Sequence, residues 1–308
     1  MKKITVLLAA YNGEKYLEQM IDSIIAQDHT EWHLVLSDDG SDDRTPEILK
    51  KYSESMPDQI TLYRSGTRFG NPQQHFLHLI DRFHDTPYVM LCDQDDVWHT
   101  DKITKTYQKM QKIECDPDLP AMVHTDLRVV DSELNCISSS FIGFSGLSGN
   151  RLKTNQLLAQ NVVTGCTMMI NRSLAELVSA HPCENGVMMH DWWIALLASC
   201  CGSCGYLDEP TIDYRQHGHN SVGAKNVRSP KYVFSQIKSS RKKIYATFGQ
   251  ATCFLESFSS VLPNDKKEII SRYASLQNKG WLSRRIAYIK YGFWKNGFAR
   301  KIAQLILG

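Results

Sequence analysis

The chain has 308 residues, of which 42% are hydrophobic, 22% charged and 10% aromatic. So much apolar and aromatic material excludes a disordered chain and suffices for one large domain or two modest ones. The formal net charge of +2 conceals two opposites: residues 1–224 hold 18 Lys and Arg against 30 Asp and Glu, whereas residues 225–308 hold 17 against 3. That split predicts an acidic body and a basic extension that meets an anionic surface, with a merely solvated basic face as the alternative. The nine cysteines are scattered and do not form the framework of a small secreted disulfide protein, so they read as reduced thiols. Cys200, Cys201 and Cys204 contain one C-x-x-C spacing, without the second pair a zinc site needs.

Met1-Lys2-Lys3 followed by the apolar run Ile4 to Ala10 imitates a signal peptide, but the run is short and ends in Tyr11-Asn12-Gly13-Glu14 with no cleavage site. It reads better as a buried parallel strand. No stretch reaches the roughly 18 apolar residues of a membrane span, so a cytoplasmic protein is expected. Strands and helices then alternate: helix 16–27, strand 34–37, helix 45–53, strand 60–63, helix 72–83 and strand 88–92. This order predicts an α/β fold, a mainly parallel sheet flanked by helices, with ligands beyond the carboxyl ends of the strands. Those ends are polar, running into Tyr11 to Glu14, Asp38 to Asp43 and Asp93-Gln94-Asp95-Asp96.

No G-x-G-x-x-G follows the first strand and no G-x-x-x-x-G-K-[ST] occurs anywhere, so phosphate needs another partner. Asp93 and Asp95 sit two apart at the end of an apolar strand, a spacing that puts both carboxylates on one side of extended chain. Together they suit a Mg²⁺ or Mn²⁺ ion that neutralises a diphosphate. Beyond a helix from Lys102 to Ile113 and a strand 121–124 lies a Ser- and Gly-rich loop, 138–150, of a length that is either functional or disordered. Residues 161–170 read as turn then strand. Asp191 opens an apolar helix in His190-Asp191-Trp192-Trp193, where favourable interaction with the helix N-terminus is the structural alternative to catalysis. Arg215, His217 and His219 crowd phosphate- and metal-binding residue types into one short stretch. Between Trp281 and Leu307, Leu282, Ile286, Ile289 and Phe293 recur at helical spacing, interleaved with Arg284, Arg285, Lys290 and Lys295. This pattern predicts a basic amphipathic helix on an anionic membrane surface, with docking onto the body as the alternative.

The segments VLLAAYNGEKYLEQMIDSI, LVLSDDGSDDRTPEIL, VMLCDQDDVWHTDKI, NVVTGCTMMINRSL, HDWWIALLA and YRQHGHNSVG together resemble the family-2 glycosyltransferases of the GT-A fold, over residues 1 to about 225. The branch they are most similar to is the bacterial rhamnosyltransferases of cell-wall, capsule and O-antigen polysaccharide. The resemblance implies a GT-A catalytic domain over 1–224, with residues 1–113 binding the nucleotide sugar and 114–224 carrying the acceptor side, followed by the helical basic extension 225–308. It implies that Ala10, Tyr11, Glu14 and Asp39 hold the nucleotide, Asp39 at the base imide. It gives the metal to Asp93, Asp95 and His217, and phosphate oxygens to Arg215. Trp98, Thr164, Gly165, His190 and Trp192 are expected to line the sugar and acceptor pocket, and Asp191 to be the catalytic base of an inverting displacement.

The implied activity is metal-dependent transfer, with Mn²⁺ or Mg²⁺, of L-rhamnose from dTDP-L-rhamnose to a polysaccharide or polyprenyl-linked acceptor. The expected setting is the inner face of the cell membrane, with no nucleic-acid partner. The alternatives are a UDP-hexose donor, a nucleotidyltransferase, and a membrane adaptor with a degenerate sugar-nucleotide domain. The Gln-x-x-Arg-Trp motif of processive members is absent, which argues for transfer of one or a few sugars.

Overall fold

The computed structural model describes residues 3–182, 186–217 and 230–308, excepting the side chains of 230–240. The expected boundary at residue 224, and His219, lie outside those residues. The apolar run Ile4–Ala10 is strand β1, followed by α1 (Leu17–Ile25), β2 (Trp32–Asp38), α2 (Thr45–Ser55), β3 (Ile60–Tyr63), α3 (Pro72–Phe83) and β4 (Tyr88–Asp93). These four strands are all parallel, in the order β3-β2-β1-β4. Local chemistry sets the boundaries. Helix α3 starts at Asn71, whose side chain accepts from the Gln74 N–H, and Pro72 supplies a first helical residue that needs no N–H partner.

The second half comprises β5 (Val97–Trp98), α4 (Lys102–Ile113), β6 (Ala121–Val130), β7 (Cys136–Ser138), α5 (Phe141–Phe144), α6 (Thr154–Ala159), β8 (Met169–Asn171), α7 (Arg172–Ser179), α8 (His190–Cys201) and β9 (Ser203–Arg215). Here the sheet becomes mixed. Strand β8 is antiparallel to both β4 and β6, β9 runs parallel to β6, and β5 closes the edge antiparallel to β9. The loop 138–150 is ordered around α5, where the Ser140 side chain accepts from the Gly143 N–H.

Four helices complete the chain: α9 (Pro230–Phe258), α10 (Asn264–Ala274), α11 (Trp281–Tyr291) and α12 (Phe298–Leu307). The single amphipathic helix expected over Trp281 to Leu307 is therefore two. Gly292 and Gly297 take φ of 69° and 82°, a left-handed backbone that ends one helix and re-aims the chain into the next. Phe293, expected on the outer stripe, is buried, and so are Arg284 and Arg285. Two hydrophobic clusters cover the sheet. One packs β1 and β2 against α1, α2 and α4. The other joins Leu7, Phe76, Leu158, Trp193 and Leu196 to Phe248, Phe254, Phe258, Tyr273, Tyr288 and Phe293, so the basic extension shares a core with the acidic body. Among the described residues no helix is long and apolar enough to cross a membrane.

Candidate active site

Parallel register brings the carboxyl ends of β1, β2 and β4 level, pairing Ala10 with Asp38 and Ala9 with Asp93. The peptide of Tyr11 is clasped by Gln94, which accepts from its N–H at 2.7 Å and donates to its carbonyl at 2.9 Å. The Tyr11 hydroxyl accepts from Arg68, whose guanidinium lies 5.1 Å from the ring centre. A Cβ at Gly13 would stand 2.3 Å from the Gln94 Oε1, so a larger residue there would displace this clasp. Asp39 is buried. Its own N–H donates to the Ala10 carbonyl, and its two carboxylate oxygens accept from the Phe69 and Gly70 amides at 2.5 and 2.8 Å. It thereby pins the loop after β3 to the β1–β2 edge and keeps spare carboxylate lone pairs. Glu14 is exposed and accepts from the Arg44 N–H at the start of α2. A cavity of about 340 Å³ opens beside these groups, lined by Asp38, Gly40, Tyr63, Arg64 and Arg68 among others.

After β4 the chain bends at Gln94 and Asp95, which breaks the alternation expected of extended backbone. Asp95 faces His217, with 2.7 Å between Oδ2 and Nε2, and the imidazole tilts over Tyr16. Asp93 instead groups with Asp96 and Cys166, their donor atoms lying within 4.8 Å of one another. Asp96 is fully buried; one oxygen accepts from the Arg215 N–H at 3.1 Å and the other has no partner. Burial, then the charges of Asp95 and Asp191, push the Asp93 carboxyl up to about 7. Crowded, mutually repelling oxygen donors with one imidazole and an orphaned buried carboxylate oxygen fit a hard divalent cation. Asp96 and Cys166 were not singled out from the sequence. Asp96 is part of the Asp93–Asp96 run, whereas no spacing rule connects Cys166 to it.

Three expected site residues have other duties. Arg215 is buried, and its fork is spent on the Asp95 carbonyl, the Ser132 carbonyl and the Gln19 Oε1, with the Tyr16 ring 4.3 Å from the guanidinium. It braces the Asp93–Asp96 turn from beneath rather than reaching out to phosphate. Trp98 is a core residue, buried under the Lys102 ammonium 4.6 Å from its ring. Trp192 is also buried and donates its indole N–H to the Leu157 carbonyl on α6, so it holds α8 in place rather than lining a pocket.

Asp191 lies in the first turn of α8. Its Oδ1 accepts from the Asn161 side chain at 3.1 Å and the Trp192 N–H at 2.6 Å, and its Oδ2 from the Gly165 N–H at 3.1 Å. Burial pushes its carboxyl up to about 7 against the opposing pull of those three hydrogen bonds. The carboxylate is close enough to Asp93 to raise its proton affinity. His190 packs on Phe76, and both its ring nitrogens lack partners; burial lowers its pKa to about 3, so it stays neutral. A Cβ at Gly165 would stand 2.6 Å from the His190 Nε2. Only glycine thus lets the amide that holds Asp191 approach, and the Thr164 carbonyl fixes this turn by accepting from Thr167.

The sequence profile of the family described as Glycosyl transferase family 2 matches residues 5–177. The protein named dTDP-rhamnosyl transferase RfbG of Shigella flexneri is 29% identical over 241 residues, 73% of this chain and 76% of that protein. Among solved structures, S. aureus TarS 1-349 in complex with UDP-GlcNAc superposes with a TM-score of 0.58 at 15% identity, covering 94% of this chain and 79% of that one. The mannosyltransferase PcManGT from Pyrobaculum calidifontis, in complex with GDP-Man and Mn²⁺, gives a TM-score of 0.53 at 18% identity, covering 98% and 86%. At those identities the likeness is one of fold, and the fold is GT-A.

Proposed function

The chain belongs to glycosyl transferase family 2, and from that premise we propose that it is an inverting, metal-dependent rhamnosyltransferase using dTDP-L-rhamnose. The donor rests on the similarity to a protein named dTDP-rhamnosyl transferase. The observation that carries the mechanism is the Asp191 carboxylate, held by Asn161 and Gly165 with a proton affinity near neutrality. A base with these properties is half ionised at pH 7 and strong enough to deprotonate a hydroxyl as that hydroxyl attacks. The acceptor oxygen forms a bond to the anomeric carbon while the bond to the donor's diphosphate breaks. The proton passes to Asp191, the electron pair leaves with the nucleoside diphosphate, and the single displacement inverts the anomeric centre.

Asp93, Asp95 and His217, with Asp96 behind them, would hold Mn²⁺ or Mg²⁺, which neutralises charge on the diphosphate leaving group. Ala10, Tyr11 and Asp39 border the nucleotide, and Glu14 fixes the loop that carries them. Thr164, Gly165 and His190 surround the base on the acceptor side. Residues 1–224 form the catalytic domain and 225–308 the basic helical extension. The acceptor is a growing polysaccharide or a polyprenyl-linked oligosaccharide, met by a peripheral protein at the cytoplasmic face of the membrane.

The test is calorimetric titration of the protein with dTDP-rhamnose, UDP-glucose, UDP-galactose and UDP-N-acetylglucosamine, each with Mn²⁺ and with EDTA. Metal-dependent binding of dTDP-rhamnose alone is expected. Selective binding of a UDP-sugar overturns the donor, and binding unchanged by EDTA overturns the metal.

A further inference from the structure

Eleven large apolar side chains are exposed among the described residues, and seven of them lie on α11 and α12: Trp281, Leu282, Ile286, Ile289, Phe298, Ile302 and Ile306. Within α11 the spacing 282, 286, 289 is one helix face, and within α12 so is 298, 302, 306. The two helices are joined: the Arg285 guanidinium donates to the Leu305 and Gly308 carbonyls at the end of α12. Arg284 likewise turns inward, donating to the Leu276 carbonyl. The arginines that mark this segment as basic are therefore its inner fastenings. The face left in water is the apolar one, rimmed by exposed Lys279, Lys290 and Lys301. No Asp or Glu occurs after Glu268.

We propose that the exposed faces of α11 and α12 insert into the interfacial layer of an anionic lipid bilayer, with apolar side chains leading and the three lysines meeting headgroup phosphates. A large exposed apolar patch marks an interaction surface. A bulky aromatic and aliphatic face edged with lysine and free of carboxylates matches a lipid surface. A second copy of the chain is a poorer occupant, because two such faces would bring lysines together with no carboxylate to answer them. The linker between these helices and the first turn of α12 are fixed to the body: the Asn296 N–H donates to the Gln160 Oε1, and Arg300 to the Gly146 and Ser145 carbonyls. Asn161, which holds Asp191, is the next residue after Gln160. Insertion would therefore hold the acceptor side against the lipid, a consequence that rests on the transfer reading; the insertion itself does not.

The experiment is co-sedimentation of the full chain with vesicles of phosphatidylcholine, alone or mixed with phosphatidylglycerol, at about 0.1 M and about 0.5 M salt. Wild-type protein is compared with the double variant Ile289→Ser, Phe298→Ser. Both side chains are exposed, so the variant should keep the wild-type melting temperature and metal-dependent donor binding; those readouts also separate this test from the donor assignment. Wild type is expected to bind the mixed vesicles at both salts, about tenfold more weakly at the higher one, where the lysines are screened. The double variant should lose at least about 30-fold in affinity at both salts. Binding that disappears at high salt and is indifferent to the double variant would reduce the surface to charge alone and overturn the proposal. So would a dimer in light scattering that the double variant makes monomeric while wild type leaves the vesicles unbound.

Discussion

Removing the Asn161 side chain isolates the base without touching it. Its Nδ2 donates to the Asp191 Oδ1 at 3.1 Å, one of three hydrogen bonds that favour the ionised carboxylate against burial. A hydrogen bond to a charged acceptor contributes about 1.5–3 kcal/mol, and each 1.36 kcal/mol is one pKa unit, so Asn161→Ala should raise the Asp191 pKa by about 1–2 units. From a starting value of about 7, the ionised fraction at pH 7 falls from about a half to between about 10% and about 1%. Because the base must be ionised to act, transfer at neutral pH should drop about 5- to 50-fold and recover as pH rises toward 9. The assay is the pH profile of kcat/KM for sugar transfer, whose acid limb should move upward by the same 1–2 units while donor affinity holds. Asn161 also ties itself to Val163 through N–H···O contacts, so some loss independent of pH is expected. A loss equal at every pH would mean that Asn161 only positions the loop. Full activity with an unmoved profile would refute Asp191 as the base.

Asp191→Asn should abolish transfer while leaving calorimetric donor binding nearly intact. The same variant should melt higher than wild type at alkaline pH. Burial lifts the folded-state pKa to about 7, so the folded protein holds that proton more tightly than the unfolded chain. Wild type then loses up to about 4 kcal/mol as pH rises from about 4 to about 7, a loss the asparagine escapes; equal melting gaps at pH 4 and pH 8 would contradict this. Asp95→Ala should weaken donor binding in Mn²⁺ and leave the residual binding in EDTA unchanged, as measured by calorimetry. Arg215→Leu should act on stability rather than on phosphate, lowering ΔG of unfolding by about 3 kcal/mol because the carbonyls of Asp95 and Ser132 lose a buried donor. An Arg215 variant that melts normally but binds the donor poorly would restore its assignment to the diphosphate.

The first half of the fold was legible because its central strands β1, β2 and β4 are long and almost wholly buried. Ile4–Ala10 and Tyr88 to Cys92 read as apolar runs separated by helical stretches. The reversal at β8 was not legible, since Met169–Asn171 is three residues long and its direction follows from being wedged between β4 and β6. At the site, residue types at strand and helix ends pointed to Asp93, Asp95, His217 and Asp191, and the fold sets Asp95 beside His217 and Asp191 near Asp93. Trp98 and Trp192 misled because an aromatic beside a motif has the same sequence signature whether it lines a pocket or is buried by distant partners such as Lys102 and Leu157. Cys166 lies 70 positions from Asp96 and meets it only through folding. Periodicity found the stripes on α11, but it could not tell which stripe faces inward, and the outcome hung on the Leu276, Leu305 and Gly308 carbonyls to which Arg284 and Arg285 donate.

Trp193 is the second residue after Asp191 on α8, and its ring lies 4.9 Å from Phe254 and 5.5 Å from Phe258 of α9. The family profile ends at residue 177, before both α8 and the helices that back it. Helix α8 and the C-terminal helices share one packed core. A recombinant that exchanged the last third of the chain for that of a relative would change the wall behind Asp191 along with the exposed apolar faces of α11 and α12. Swaps that keep α8 with α9–α12 should yield active hybrids, whereas a junction between them would have to re-fit the interlock of Trp193 with Phe254 and Phe258.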